Sequence, residues 1–321
     1  MTPPPNTIAI LAGHWLGDTF WATQTIPALK RHFPQARIIV YTKPWSRDLW
    51  AGLIQDDNLR AAPWLTSDRR REKTDFPEWL RQTLAARRER FDGILDFMGN
   101  RYSGSFARIA RPAAAYGFNG FRMASCFYSR MAVIPAGEHL SRRPFRVLEL
   151  LVGQDEYQRP RPVCRPACSF AEAAAQVGLD PAHPPVVIAP TAGWPAKEWP
   201  LACFRELAGR LAAAGTPILL LGAAADAERL ESVAAGAAPG LARTAAGLPL
   251  GRVLALLSGC AAFVGNDSGP GHLAAAYGRP TNILFTGTTD PAICAPLGQD
   301  VHIWDTRARE TSPETIAAAL R

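Results

Sequence analysis

The stretch that offers most to chemistry runs Gly265-Asn266-Asp267-Ser268-Gly269-Pro270-Gly271-His272-Leu273-Ala274-Ala275-Ala276-Tyr277-Gly278, directly after the apolar Ala262-Phe263-Val264. It reads as a strand followed by a capped helix. Asp267 and Ser268 suit an N-cap, and Pro270 suits the first helical turn. Gly269 and Gly271 keep bulky side chains away from the helix start, so a phosphate can approach the backbone N–H groups and the positive end of the helix dipole. His272 adds a donor. Asp267 is an awkward neighbour for a phosphate; it can cap the helix or accept the hydroxyls of a sugar.

A second site follows another apolar run, at Pro190-Thr191-Ala192-Gly193-Trp194-Pro195-Ala196-Lys197-Glu198-Trp199-Pro200. Thr191 and Lys197 are its anion-binding candidates. A lysine just ahead of a helix start is electrostatically out of place. It is either a surface lysine or one that reaches a phosphate. A third site is Gly13-His14-Trp15-Leu16-Gly17-Asp18. The three residues between its glycines break the G-x-G-x-x-G dinucleotide pattern. Asp18, at a helix start, can be a cap or a general base.

The elements that must position these residues alternate. Thr7–Leu11, Arg37–Tyr41 and Gly93–Phe97 read as strands, with a helix over Thr19–His32 and a charged helix over Pro77–Arg90 whose Arg and Glu side chains form a solvated face. Strand, glycine loop, helix, strand is a parallel βαβ unit. The alternation restarts at Pro185–Ala189, with strands at Pro217–Leu221, Ala262–Val264 and Thr281–Phe285. Helices are expected over Leu201–Ala214, Asp226–Ala235, Leu250–Leu257, Gly269–Tyr277 and Pro313–Arg321. Between the two series lies a Pro-, Arg- and Ala-rich region that reads as the interdomain connection. Two α/β halves with a cleft between them follow, and ligands of such sheets sit beyond the carboxyl ends of the strands.

The totals agree with this. A chain of 321 residues exceeds the usual single core, and 20% charged residues argues against disorder. The net charge of +7 suggests an acidic partner: nucleic acid, an anionic membrane surface or phosphorylated small molecules. The arginines at Arg69–Arg71, Arg87-Arg88, Arg142-Arg143 and Arg159–Arg165 form no aromatic-interleaved stripe, so nucleic acid is not the expected partner. No apolar run is long enough to span a membrane and the N-terminus is unlike a signal peptide, so a cytoplasmic location is expected, with arginines available to an anionic inner membrane face. Cys126, Cys203, Cys260 and Cys294 read as small core residues. Cys164 and Cys168 have no second pair of metal-ligand spacing, so no metal site is expected.

Taken together, these residues resemble the ADP-heptose:lipopolysaccharide heptosyltransferase family, glycosyltransferase family 9. Leu16-Gly17-Asp18 followed by Thr23–Pro34 is similar to the family's first loop and helix. Lys197-Glu198-Trp199-Pro200 is like its K-x-W-P, and Gly265–Gly278 with Pro280 is close to its D-S/T-G-P-x-H-L-A-A-A-x-G-x-P. The resemblance implies a GT-B fold, with two Rossmann-like domains whose parallel sheets face each other across a cleft. The boundaries it suggests are an acceptor-side domain over 1–160, a linker over 161–183 and a donor-binding domain over 184–308. The remaining residues, 309–321, would form a helix packing back on the first domain. It implies inverting transfer without metal or cofactor, from ADP-heptose to a lipid A-core or other glycan acceptor. Asp18 would be the base. Thr191, Lys197, Ser268, Gly269 and His272 would hold the diphosphate, Asp267 the sugar hydroxyls, and Asp226 or Glu228 the nucleoside. On the acceptor side the chain departs from the family. His14 follows the first strand where many members have a basic residue, and Met98-Gly99-Asn100-Arg101 lacks the Gln before its Gly, leaving Asn100 and Arg101 as acceptor-side candidates. The alternatives are a GT-B transferase using another nucleotide sugar and a non-catalytic nucleotide-sugar-binding relative.

Overall fold

The computed structural model describes residues 4–13, 15–65 and 75–320. The chain divides into two compact units, Met1–Gln158 and Arg159–Arg321. In the first unit, β1 (Thr7–Leu11), β2 (Arg37–Thr42), β3 (Leu59–Ala61), β4 (Gly93–Asp96), β5 (Ala114–Phe118) and β6 (Arg130–Ala132) form a parallel sheet ordered β3-β2-β1-β4-β5-β6. Its helices are α1 (Leu16–Thr23), α2 (Ile26–His32), α3 (Phe76–Glu89), α4 (Arg101–Ile109) and α5 (Arg143–Val152). The central strands are runs of Ile, Val, Leu and Ala because both faces of a parallel sheet are covered by crossover helices. On one face Trp64 stacks on Phe106 at 4.9 Å, and its indole N–H donates to Gln82 Oε1 at 2.8 Å.

The single helix expected over Thr19–His32 is two. The Thr23 and Thr25 hydroxyls donate back to the Phe20 and Ala22 carbonyls, and Pro27 brings no N–H to continue the ladder. The chain therefore breaks at Gln24-Thr25.

The second unit contains β7 (Val186–Ala189), β8 (Ile218–Gly222), β9 (Ala242–Ala246), β10 (Ala262–Asn266), β11 (Thr281–Phe285) and β12 (Val301–Asp305). They form a parallel sheet ordered β12-β11-β10-β7-β8-β9. Its helices are α6 (Phe170–Gln176), α7 (Leu201–Ala213), α8 (Ala227–Ala234), α9 (Leu250–Gly259), α10 (Gly269–Ala276), α11 (Pro291–Cys294) and α12 (Pro313–Ala319). Counted from its own first strand, this is the order of the first unit. Each sheet reverses direction once, between β1 and β4 and between β7 and β10. The loops leaving those strands flank the crevice where such sheets bind ligands.

The segment 161–183 falls within the second unit. Ser169 and Glu172 form a capping box at the start of α6, Ala173 and Ala174 are fully buried, and the Tyr277 hydroxyl donates to the Cys164 carbonyl. Its Pro- and Arg-rich composition masked a short capped helix. The C-terminal helix also belongs to the second unit. Ile316 and Ala317 of α12 join the cluster of Phe204, Leu207 and Leu211 from α7. Full burial of a side chain the size of Ile316 contributes about 1.5–3 kcal/mol, and of an alanine methyl less than about 1. Of the cysteines read as core residues, Cys260 and Cys294 are buried, Cys203 is half-buried and Cys126 is exposed.

Candidate functional site

In the second unit the site grows from the ends of β7 and β10. Asn266, the last residue of β10, is fully buried. Its Nδ2 donates to the Pro190 carbonyl at 2.8 Å, and its Oδ1 accepts the Trp199 amide at 2.9 Å. One side chain thus fixes both ends of the loop that carries Thr191 and Lys197. Gly265 beside it admits no side chain, since a Cβ would stand 2.8 Å from the Ala189 carbonyl oxygen. The short turn Pro195–Lys197 is held by the Thr286 and Thr288 hydroxyls, each donating to the Ala196 carbonyl at 2.7 Å.

Lys197 Nζ lies 2.5 Å from Asp267 Oδ2. The lysine is therefore no free surface residue, and its ammonium stands at the start of α10. The same carboxylate oxygen accepts the Thr289 hydroxyl at 2.7 Å. Ser268 is the N-cap of α10 by backbone conformation, yet its hydroxyl makes no cap bond and is buried without a partner. Gly269 opens the helix, and His272 is buried one turn along. Gly271 lets α10 pack against β11, since a Cβ there would stand 2.5 Å from Ile283 Cδ1.

Thr191 is nearly buried, and its hydroxyl donates to Asp226 Oδ2 at 3.0 Å. Asp226 also accepts the Ala223 amide and pairs with Arg229. Glu198 accepts the Ala192 amide and pairs with the same arginine. Thr191, Asp226, Arg229 and Glu198 thus form one network, whereas Glu228 stands exposed in the first turn of α8. Sequence reasoning missed Asn266, Glu198, Thr289 and Arg229. The readable signal for Asn266 was a polar residue ending an otherwise apolar strand.

In the first unit, Gly13 follows β1, and a Cβ there would stand 2.8 Å from the Lys43 backbone nitrogen. The glycine lets the loops after β1 and β2 touch. Asp18 lies half-buried in the first turn of α1, where the helix dipole favours a carboxylate. His14 lies outside the described residues. At the end of β4, Asp96 is fully buried. Its Oδ1 accepts the Met98 and Gly99 amides at 2.8 and 3.2 Å, and its Oδ2 accepts the Tyr128 hydroxyl at 2.6 Å. Burial pushes its carboxyl above the usual carboxylate range, and the hydrogen bonds oppose that shift. Gly99 has φ +61°, and a Cβ there would collide with the Phe118 ring. Asn100 then caps α4, its Oδ1 accepting the Ser103 amide, and Arg101 opens the helix exposed. Asp96 and Gly99 therefore set the loop that presents Asn100 and Arg101.

Two Rossmann-like units, each with polar side chains gathered beyond the strands where its order reverses, define an α/β protein of the GT-B class. Residues 79–317 match the Glycosyltransferase family 9 (heptosyltransferase) model. The chain is 30% identical over 282 residues to lipopolysaccharide heptosyltransferase 1 of Pseudomonas aeruginosa, covering 85% of this chain and 70% of that protein. It is 24% identical over 308 residues to lipopolysaccharide heptosyltransferase 2 of Salmonella typhimurium, covering 92% and 87%. In fold it is similar to E. coli ADP-heptose lps heptosyltransferase II, with a TM-score of 0.80 at 21% identity and 98% coverage of both chains. It is similar too to E. coli heptosyltransferase WaaC with ADP, with a TM-score of 0.74 at 21% identity, covering 98% and 97%. The chain belongs to glycosyltransferase family 9, the heptosyltransferases, and is a glycosyltransferase.

Proposed function

We propose that this enzyme moves a heptose from ADP-heptose to a lipopolysaccharide core or related surface-glycan acceptor, with inversion at the transferred carbon and without a metal ion. The observation that carries the reading is the meeting of the Lys197 ammonium, the Asp267 carboxylate and the start of α10 at the ends of β7 and β10. Breaking the bond between the anomeric carbon and the phosphate leaves a diphosphate that gains negative charge. Lys197 and the first N–H groups of α10 stabilise that charge, supplying what a divalent cation would otherwise supply. Thr191, Ser268, Gly269 and His272 add donors around the diphosphate, Asp267 accepts sugar hydroxyls, and Asp226 or Glu228 serves the nucleoside end.

Asp18 takes the proton from the acceptor hydroxyl as its oxygen bonds the anomeric carbon and ADP departs. Attack on the side opposite the leaving group inverts the configuration. Asn100 and Arg101 belong to the acceptor side, as does His14.

Membrane contact is part of the same reading. Phe76, Leu80 and Leu84 stand exposed four residues apart along α3, and Trp79 Nε1 donates to the Tyr102 carbonyl, so α4 starts beside α3. Arg87, Arg88, Arg101 and Arg108 are exposed on these two helices. An apolar stripe among arginines fits an anionic lipid surface.

The test is transfer by purified protein to a lipid A-core acceptor, comparing ADP-heptose with UDP- and GDP-sugars. Turnover is expected with ADP-heptose, persisting in chelator, with an inverted anomeric centre by NMR. Turnover with a UDP- or GDP-sugar alone would sink the donor assignment.

A further inference from the structure

Three donors converge on one oxygen of Asp267. Lys197 Nζ, Thr289 Oγ1 and Cys294 Sγ approach Oδ2 at 2.5, 2.7 and 3.7 Å, the thiol sharing its one proton with the nearer Asp290 carbonyl at 3.2 Å. Oδ1 takes none of these three bonds, and the residue as a whole is only 6% exposed. The carboxylate is therefore gripped by one oxygen and presents the other.

The three donors differ in what a diphosphate does to them. An ammonium beside Asp267 is drawn to any phosphate that arrives, and its hold on the carboxylate weakens as it shares its charge. Thr289 and Cys294 are neutral, so an arriving phosphate does not draw on a charge of theirs. They flank a segment in which Asp290 Oδ1 accepts the Ala292 amide and the Asp290 carbonyl accepts the Cys294 amide. Burial and the neighbouring Asp267 charge push the Cys294 thiol up to about 11, so it keeps the proton it donates. With Lys197 as its sole hold, Asp267 would be free to rotate, or be repelled, as the diphosphate bound.

We propose that Thr289 and Cys294 are positioning residues that clamp Oδ2 of Asp267, so that Oδ1 stays directed at the donor sugar's hydroxyls while Lys197 engages the diphosphate. The clamp gives the site its preference for the sugar nucleotide over the bare nucleotide, because sugar hydroxyls are present in one and absent from the other. This inference rests on the donor reading above and extends it to two residues with no other assigned role.

Calorimetric titration of the full-length protein with ADP and with ADP-heptose, without acceptor, tests it. Thr289→Val is expected to weaken ADP-heptose binding about tenfold, as for loss of one charge-assisted hydrogen bond, and to leave ADP binding within about twofold. Retained ADP binding shows that the site is folded. Thr289→Ser keeps the hydroxyl and is expected to restore the preference, and Cys294→Ala is expected to lose about two- to threefold, as for a weak thiol donor. Parallel loss of both ligands in Thr289→Val, or loss of neither, overturns the clamp while leaving the donor assignment standing. A wild-type protein that binds ADP-heptose no better than ADP overturns both.

Discussion

Replacing Asn266 with Ala removes the side chain that ties the Thr191–Lys197 loop to β10. Asn266 is fully buried and satisfies two backbone groups, the Pro190 carbonyl and the Trp199 amide, at 2.8 and 2.9 Å. Each buried group left without a partner costs about 1–3 kcal/mol, so the pair costs about 2–6, toward the lower end if water enters the vacated space. With two units in the chain, one global midpoint is a poor measure, and hydrogen exchange at the Trp199 amide reads the loss locally. At about 1.4 kcal/mol per factor of ten, the lower end corresponds to exchange about 30-fold faster than in wild type. ADP affinity measured on the same variant should fall, because Thr191 and Lys197 lose their common anchor. Trp199 exchange within about threefold of wild type would refute the reasoning about stability. Fast exchange with unchanged ADP affinity would refute the link from anchor to site.

Asp18→Asn is expected to reduce transfer by about a hundredfold or more with ADP binding intact, as for loss of a general base, measured by turnover and calorimetry; full activity would exclude Asp18 as the base. Glu156 is tied to Arg31 and His32 of α2, and its carboxyl is held down to about 2, chiefly by the His32 and Gln154 hydrogen bonds and then by the Arg31 charge. The folded-state value lies below the unfolded one, so the contribution is complete above the ordinary value of 4.5 and is lost as pH falls through about 2. The acid-unfolding profile of Glu156→Gln should therefore be flatter than wild type across that window, and superimposable profiles would count against the tie. Changing Phe76, Leu80 and Leu84 together to Ser should lower co-sedimentation with phosphatidylglycerol vesicles while leaving binding of ADP unchanged; equal sedimentation would remove α3 from the membrane contact.

Much of the fold is legible in apolar runs. TNILF is β11 over Thr281–Phe285 as expected, and the runs at Thr7, Arg37, Gly93, Val186 and Ile218 become the inner strands or their neighbours. Strands β3, β6, β9 and β12 escape because they lie at or beside the sheet edges and are short or mixed. The ARTAA of β9 and VHIWD of β12 carry little of the apolar density that burial on both faces requires. β5, AAYGF, is hidden differently: Gly117 is required where a Cβ would meet the Tyr128 ring. In the candidate site, Lys197 was recognisable by its unfavourable place ahead of a helix, and Asp267 by its position beside a phosphate-type helix start. The pairing of those two, the Asn266 staple and the Thr289 grip join residues far apart in sequence, and no local pattern carries such contacts.

The shared strand order has an evolutionary consequence. The site loops leave β1, β4, β7, β8, β10 and β11, which are each paired on both sides, whereas β3, β6, β9 and β12 each border a single neighbour. A substitution at an outer strand perturbs one ladder and reaches the site only through intervening strands. One at the strands that lead into those loops shifts a loop directly. Drift can therefore accumulate from the rims inward, and such an enzyme can exchange most of its surface and outer layers for new sequence while its chemistry stays where it was.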